Sequence, residues 1–131
     1  MLPIMMHVTD ELFQKLVEEA VASIPKRFAD HLDNVAFIVA DRPSTAQLQS
    51  NGILHGNMTL LGLYEGIPLP RRGNGYNGVA PDVITIFRGP HEAISQDMEG
   101  MRKAVHQTVW HEVAHYFGLG HGAINDLEDR G

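Results

Sequence analysis

The segment His111-Glu112-Val113-Ala114-His115-Tyr116-Phe117-Gly118-Leu119-Gly120-His121 fits H-E-x-x-H-x-x-G-x-x-H at every specified position. That spacing requires a helix followed by a sharp stop. Four residues apart on a helix, His111 and His115 set their imidazoles on one face, where both can point at one ion. At about 100° per residue, Glu112 lies ~100° from His111 and ~60° from His115, so its carboxylate flanks that ion. Glycine reaches the left-handed conformation at little cost, so Gly118 lets the chain reverse and swing His121 back as a third ligand. Three neutral nitrogen donors with one open tetrahedral position suit a catalytic zinc rather than a structural one.

The longer form of the pattern carries the weight. A bare H-E-x-x-H arises by chance in on the order of one chain of this length in sixty, and fixing Gly118 and His121 lowers that to on the order of one in twenty thousand. An amphipathic helix that merely carries two histidines on its polar face gives no reason for a glycine at 118.

The rest of the composition bounds the setting. A chain of 131 residues accommodates one domain, spanning 1–131, with one modest core and no separate substrate-binding module. A hydrophobic fraction of 44% and a charged fraction of 20% are those of a soluble globular protein. The net charge of −6 disfavours broad contact with a phosphate backbone, so no nucleic-acid partner is expected. Cysteine is absent, which removes disulfides, thiolate ligands and a cysteine nucleophile. Met1 to His7 is too short and uncharged for a signal peptide, and no apolar run approaches ~20 residues. A cytoplasmic protein with no membrane partner is expected.

The first helix starts at Thr9 as N-cap, with Asp10 and Glu11 at its positive end. Leu12, Phe13, Leu16, Val17, Ala20, Val21 and Ile24 form its apolar stripe, closed by Pro25. Val35 to Ala40 reads as a buried strand, followed by a turn at Asp41-Arg42-Pro43 and a short helix over Ser44 to Gln49. Ile53 to Glu65 reads as two strands around a Gly56-Asn57 turn, and Gly73 to Gly78 as an open loop. Val83 to Arg88 reads as a third strand stopped by Gly89-Pro90, and Asp97 caps a long helix that runs to Phe117. Together these give an α+β fold, with helices against one face of a small mixed sheet and the motif on the long helix.

Outside the motif, His7, His31, His55, His91 and His106 are scattered and read as surface or hydrogen-bonded histidines. His106 lies ~140° round the helix from His111, too far to share its ion. Tyr116 is turned away by the same angle and reads as core; of the other phenols that could stabilise an oxyanion, Tyr64 is a candidate, and Tyr76, in the open loop, is not expected to take part. Arg71 and Arg72 read as a solvated pair, with a substrate carboxylate as the functional alternative. Asp126 is the nearest carboxylate substitute should His121 not be a ligand.

The motif resembles that of the metzincin metallopeptidases, but every methionine lies upstream of His121, at Met1, Met5, Met6, Met58, Met98 and Met101, where no methionine turn can form beneath the zinc. Over nearly its full length the chain is more similar to the small bacterial zincin-like metallopeptidase domains. Leu60-Leu61-Gly62-Leu63-Tyr64-Glu65-Gly66-Ile67-Pro68-Leu69, Pro81-Asp82-Val83-Ile84-Thr85-Ile86-Phe87-Arg88 and the His111 segment carry that likeness. The resemblance implies a minimal zincin fold, with His111 and His115 as metal ligands and Glu112 as catalytic acid or base. Members often hold an aspartate where this chain has His121, and either residue can bind zinc.

The chemistry expected is hydrolysis of a peptide or protein substrate. Zn2+ lowers the pKa of a bound water to roughly 7, and Glu112 takes its proton and passes it to the leaving amine. A strand edge within Leu60 to Glu65 is placed to hold an extended peptide. Two other readings stay open. The single-metal RNA hydrolases of ribosomal-RNA maturation also space histidines as H-x3-H-x5-H, without a glutamate after the first. A non-catalytic zinc-binding interaction domain would have no need of Glu112.

Overall fold

The structure is a computed structural model and describes residues 6–52, 59–73 and 80–118. Helix α1 spans Asp10–Ala22 because Thr9 caps it, its hydroxyl accepting the Leu12 amide at 3.1 Å, and because its apolar stripe faces inward. Phe13, Leu16, Val17, Ala20 and Ile24 are buried, while Leu12 sits at the margin of the stripe. The helix ends at Ser23, before Pro25, and Pro25 instead opens a short helix α2, Lys26–Ala29.

Strand β1, Val35–Ala40, leads to helix α3, Thr45–Ser50, which carries a complete capping box between Ser44 and Gln47. Strand β2 spans Gly62–Glu65 and is followed by a short 3-10 helix, Leu69–Arg71. Strand β3 spans Asp82–Phe87. The sheet order is β1-β3-β2, with β1 parallel and β2 antiparallel to β3. The expected α+β layout with a small mixed sheet is therefore present. The Gly56-Asn57 turn lies outside the described residues.

Two expectations change. The apolar run of β1 is only half-buried, with Ile38 47% exposed, because among the described residues it pairs with β3 alone. Gly89-Pro90 follows the end of strand β3 at Phe87, as expected, but does not end regular structure. It lies in the first turn of helix α4, Arg88–Ile94, where a missing N–H breaks no helical hydrogen bond. Gly89 is drawn against Asp41, its amide 2.8 Å from that carbonyl, and an added Cβ would stand 2.9 Å from the same oxygen.

Helix α5, Met98–Tyr116, is capped by Asp97, whose carboxylate accepts the Gly100 amide at 2.7 Å. Its Met101, Val105, Val109 and Val113 pack with Phe13 and Leu16 of α1 and Ile84 and Ile86 of β3 in one core. Full burial of such side chains stabilises by about 1.5–3 kcal/mol each. The packing fixes α5 across the sheet with its other face toward β2, and on that face lies the motif. No helix among the described residues is long and apolar enough to cross a membrane.

Candidate metal centre

One turn of α5 sets His111 and His115 on the same side, with ring centroids 4.7 Å apart and planes inclined at 70°. Glu112 lies between them and is buried, and its Oε1 stands 3.1 Å from His115 Nδ1. One ligand atom from each of His111, Glu112 and His115 can be chosen so that all lie within 4.8 Å of one another. The hydrogen bond to Glu112 pushes the His115 imidazole above its usual 6.5, outweighing the partial burial that acts the other way.

A buried carboxylate facing two imidazoles is a donor set that seeks a cation, and two nitrogens with a flanking oxygen fit a first-row divalent metal. Sequence spacing placed these three residues together, and the structure does the same. His121, expected as a further ligand, lies outside the described residues, as do His55, Tyr76 and Asp126. Gly118 does adopt the left-handed conformation, φ +74, immediately after the helix. It is packed on Pro70, whose Cγ would stand 2.9 Å from an added Cβ.

Strand β2 crosses directly over this turn of α5. It is an outer strand of the sheet, paired among the described residues with β3 alone. Two cavities flank the histidines. On the His111 side, a cavity of about 540 Å3 is walled by Leu60, Leu61, Ile94 and Ala104, with Gln107 at its polar end. On the His115 side, a cavity of about 330 Å3 is lined by Tyr64, Pro68, Pro70, Arg71, His115 and Gly118.

Residues beneath the site were not apparent from the sequence. His91 is fully buried on α4, its Nδ1 2.7 Å from the Phe87 carbonyl and its Nε2 2.9 Å from Thr108 Oγ1. Burial pushes the ring below the usual histidine range, so it is neutral, with Nδ1 donating to the Phe87 carbonyl. Thr108 borders the His111-side cavity, and its hydroxyl also lies 2.9 Å from the Ala104 carbonyl. His106 meets Ser23 instead, at 3.1 Å, well away from the metal ligands as expected.

Arg72 corrects the reading of a solvated arginine pair. Its side chain is 6% exposed and forms an ion pair with Asp82, itself 5% exposed at the side chain. It also donates to the carbonyls of Ile67 at 2.9 Å and Asp33 at 3.1 Å. Tyr64 donates to the same Asp82 carboxylate, and Tyr116 donates to the His31 carbonyl at 2.8 Å. Burial and the neighbouring carboxylate push the Tyr64 phenol far above its ordinary value, so it stays protonated. Both hydroxyls thus belong to a structural network behind the helix end. The available signal was Asp82 itself, an acidic residue opening an otherwise apolar strand.

No curated protein matches the chain significantly in sequence. The sequence model of a family described as zincin-like metallopeptidase matches residues 32–130, from just before β1 through the metal centre. A match of that extent, over a mixed three-stranded sheet and a helix carrying a His-Glu-His cluster, shows that the chain belongs to the zincin-like metallopeptidase family.

Proposed function

We propose that the protein is a zinc-dependent peptidase, with His111 and His115 as metal ligands, His121 as the third, and Glu112 as the catalytic acid–base. The convergence of ligand atoms from His111, Glu112 and His115 within 4.8 Å carries the reading. When bound, zinc supplies a Lewis acid that polarises a carbonyl and lowers the pKa of water. His111 and His115 would hold it through ring nitrogens. Glu112 would accept the proton of the attacking water and return it to the departing amine nitrogen.

The surroundings support a peptide rather than a nucleic acid. The edge of β2 turned away from β3, unpaired among the described residues, would offer main-chain donors and acceptors to an extended chain, and a cavity lies on either side of the histidines to take its side chains. A net charge of −6 opposes a polyanion, and the glutamate beside the first histidine supplies an acid–base group that the RNA hydrolases of like spacing do without. A family of metallopeptidase type is consistent with each of these features.

The test is Glu112→Gln. The variant keeps the histidines, so zinc should remain at about one equivalent by metal analysis while cleavage of a peptide library disappears. Wild-type zinc-loaded protein that cleaves no peptide, or a Gln variant that cleaves as well as wild type, would refute the assignment.

A further inference from the structure

Arg71 and Arg72 are adjacent in sequence and opposite in use. Arg72 is consumed by Asp82 and two carbonyls behind the helix end. That anchorage, with the Arg71 amide bonded to the Pro68 carbonyl at 2.8 Å, fixes the backbone just before it. Arg71 is thereby presented at the wall of the His115-side cavity, exposed and with no acidic partner among the described residues. Glu65, the neighbouring carboxylate on β2, is turned to α3, where Gln47 donates to it at 3.2 Å. A guanidinium on an anchored backbone beside a metal ligand, with no acidic partner among the described residues, is suited to receive an anion.

We infer that Arg71 selects a substrate side-chain carboxylate, so that the peptidase prefers peptides with an acidic residue on the N-terminal side of the cleaved bond. The inference rests on the peptidase reading above. Its polarity follows from β2, which runs from Gly62 beside the His111-side cavity to Tyr64 and Glu65 beside the His115-side cavity. A peptide added antiparallel to that edge runs the other way, with its N-terminal half at Arg71 and its C-terminal half at the His111-side cavity. A free C-terminal carboxylate would lie at the wrong end, which leaves a side chain as the source. The net charge of −6 opposes an acidic tract, so one carboxylate at contact distance is the feature recognised.

The test uses N-acetylated, C-amidated hexapeptide libraries in which one fixed position carries Glu or Gln and no other acid is present. Zinc-loaded wild type is read by mass spectrometry of the products, and zinc-loaded Glu112→Gln by fluorescence anisotropy of labelled libraries. Glu should exceed Gln by about tenfold N-terminal to the cut, as a charge-assisted hydrogen bond implies. Arg71→Met should bring the ratio near one, and Arg71→Glu should favour Lys at that position. Cleavage with no Glu preference, with the preference C-terminal to the cut, or with a preference that Arg71→Met leaves intact overturns the inference while the peptidase stands. Absence of cleavage together with Arg71-dependent binding of Glu libraries overturns the peptidase and the preference at a cleaved bond, while sustaining Arg71 as the receptor of a side-chain carboxylate. Absence of both overturns both.

Discussion

Gly62 lies against Glu112 with no space between them for a side chain: a Cβ on the glycine would stand 3.2 Å from Glu112 Cγ and 2.6 Å from Thr108 Cγ2. The strand whose edge is proposed to hold a substrate is thus seated on the residue proposed to move the proton. Close approach of β2 to α5 and the position of the carboxylate are one packing event, and glycine at 62 permits both.

Gly62→Ala should therefore disturb stability and turnover together. The methyl group must displace Thr108 and Glu112, at about 1–3 kcal/mol for overpacking a filled site, and it tilts the carboxylate. Adding Thr108→Ser removes the colliding Cγ2 while keeping the hydroxyl that meets His91, so the double variant should recover most of the loss. Urea unfolding and peptide cleavage measure the two effects. Recovery of neither by the double variant would contradict the packing argument.

The buried ion pair makes a separate prediction. Arg72→Met leaves the Asp82 carboxylate buried without its cation, which should destabilise by about 3–5 kcal/mol in denaturant unfolding. Replacing both partners, Arg72→Met with Asp82→Leu, should cost less than the single change, because no uncompensated charge remains. A single variant within about 1 kcal/mol of wild type would mean that Arg72 is not held as described.

Zinc binding should rise with pH through the range where His115 loses its proton. The hydrogen bond that His115 donates to Glu112 raises that range above 6.5, so proton and metal compete at higher pH than for an unperturbed histidine. Glu112→Gln removes the charge, and the midpoint of zinc binding should move to lower pH in competition with a chromophoric chelator. His115→Ala should weaken zinc by more than about 100-fold, since even outer residues around a metal contribute about 10–100-fold. An unshifted midpoint in the Gln variant would place the Glu112 contact outside the binding equilibrium.

These predictions divide between what local sequence reveals and what only packing reveals. The motif helix, the caps at Thr9 and Asp97, the short helix near Ser44 and the left-handed Gly118 were legible because each depends on residues within a turn or two. The exposure of β1 was not, because an apolar run has the same composition at the edge of a sheet as at its centre. Helix α4 was hidden by Gly89-Pro90, a breaker in the middle of a helix but harmless in its first turn. The different fates of Arg71 and Arg72 depend on Asp82 and Tyr116, ten and more residues away, and no local pattern encodes that.

His91 offers the clearest pH test. The ring is wholly buried, and its folded-state pKa is pushed below the 6.5 it has when unfolded, chiefly by burial. Between those two values the unfolded chain binds a proton that the folded chain does not, so stability is full above pH 6.5 and declines as pH falls toward the lowered value. Thermal unfolding of the chelator-treated protein should show this loss below pH 6.5, over and above that from carboxylates at lower pH. His91→Gln keeps a donor and an acceptor for the Phe87 carbonyl and Thr108 but cannot titrate, so its melting temperature should fall less steeply between pH 6.5 and 5, whatever its value at neutral pH. Equal slopes for the two proteins would show that His91 is protonated with little penalty inside the fold.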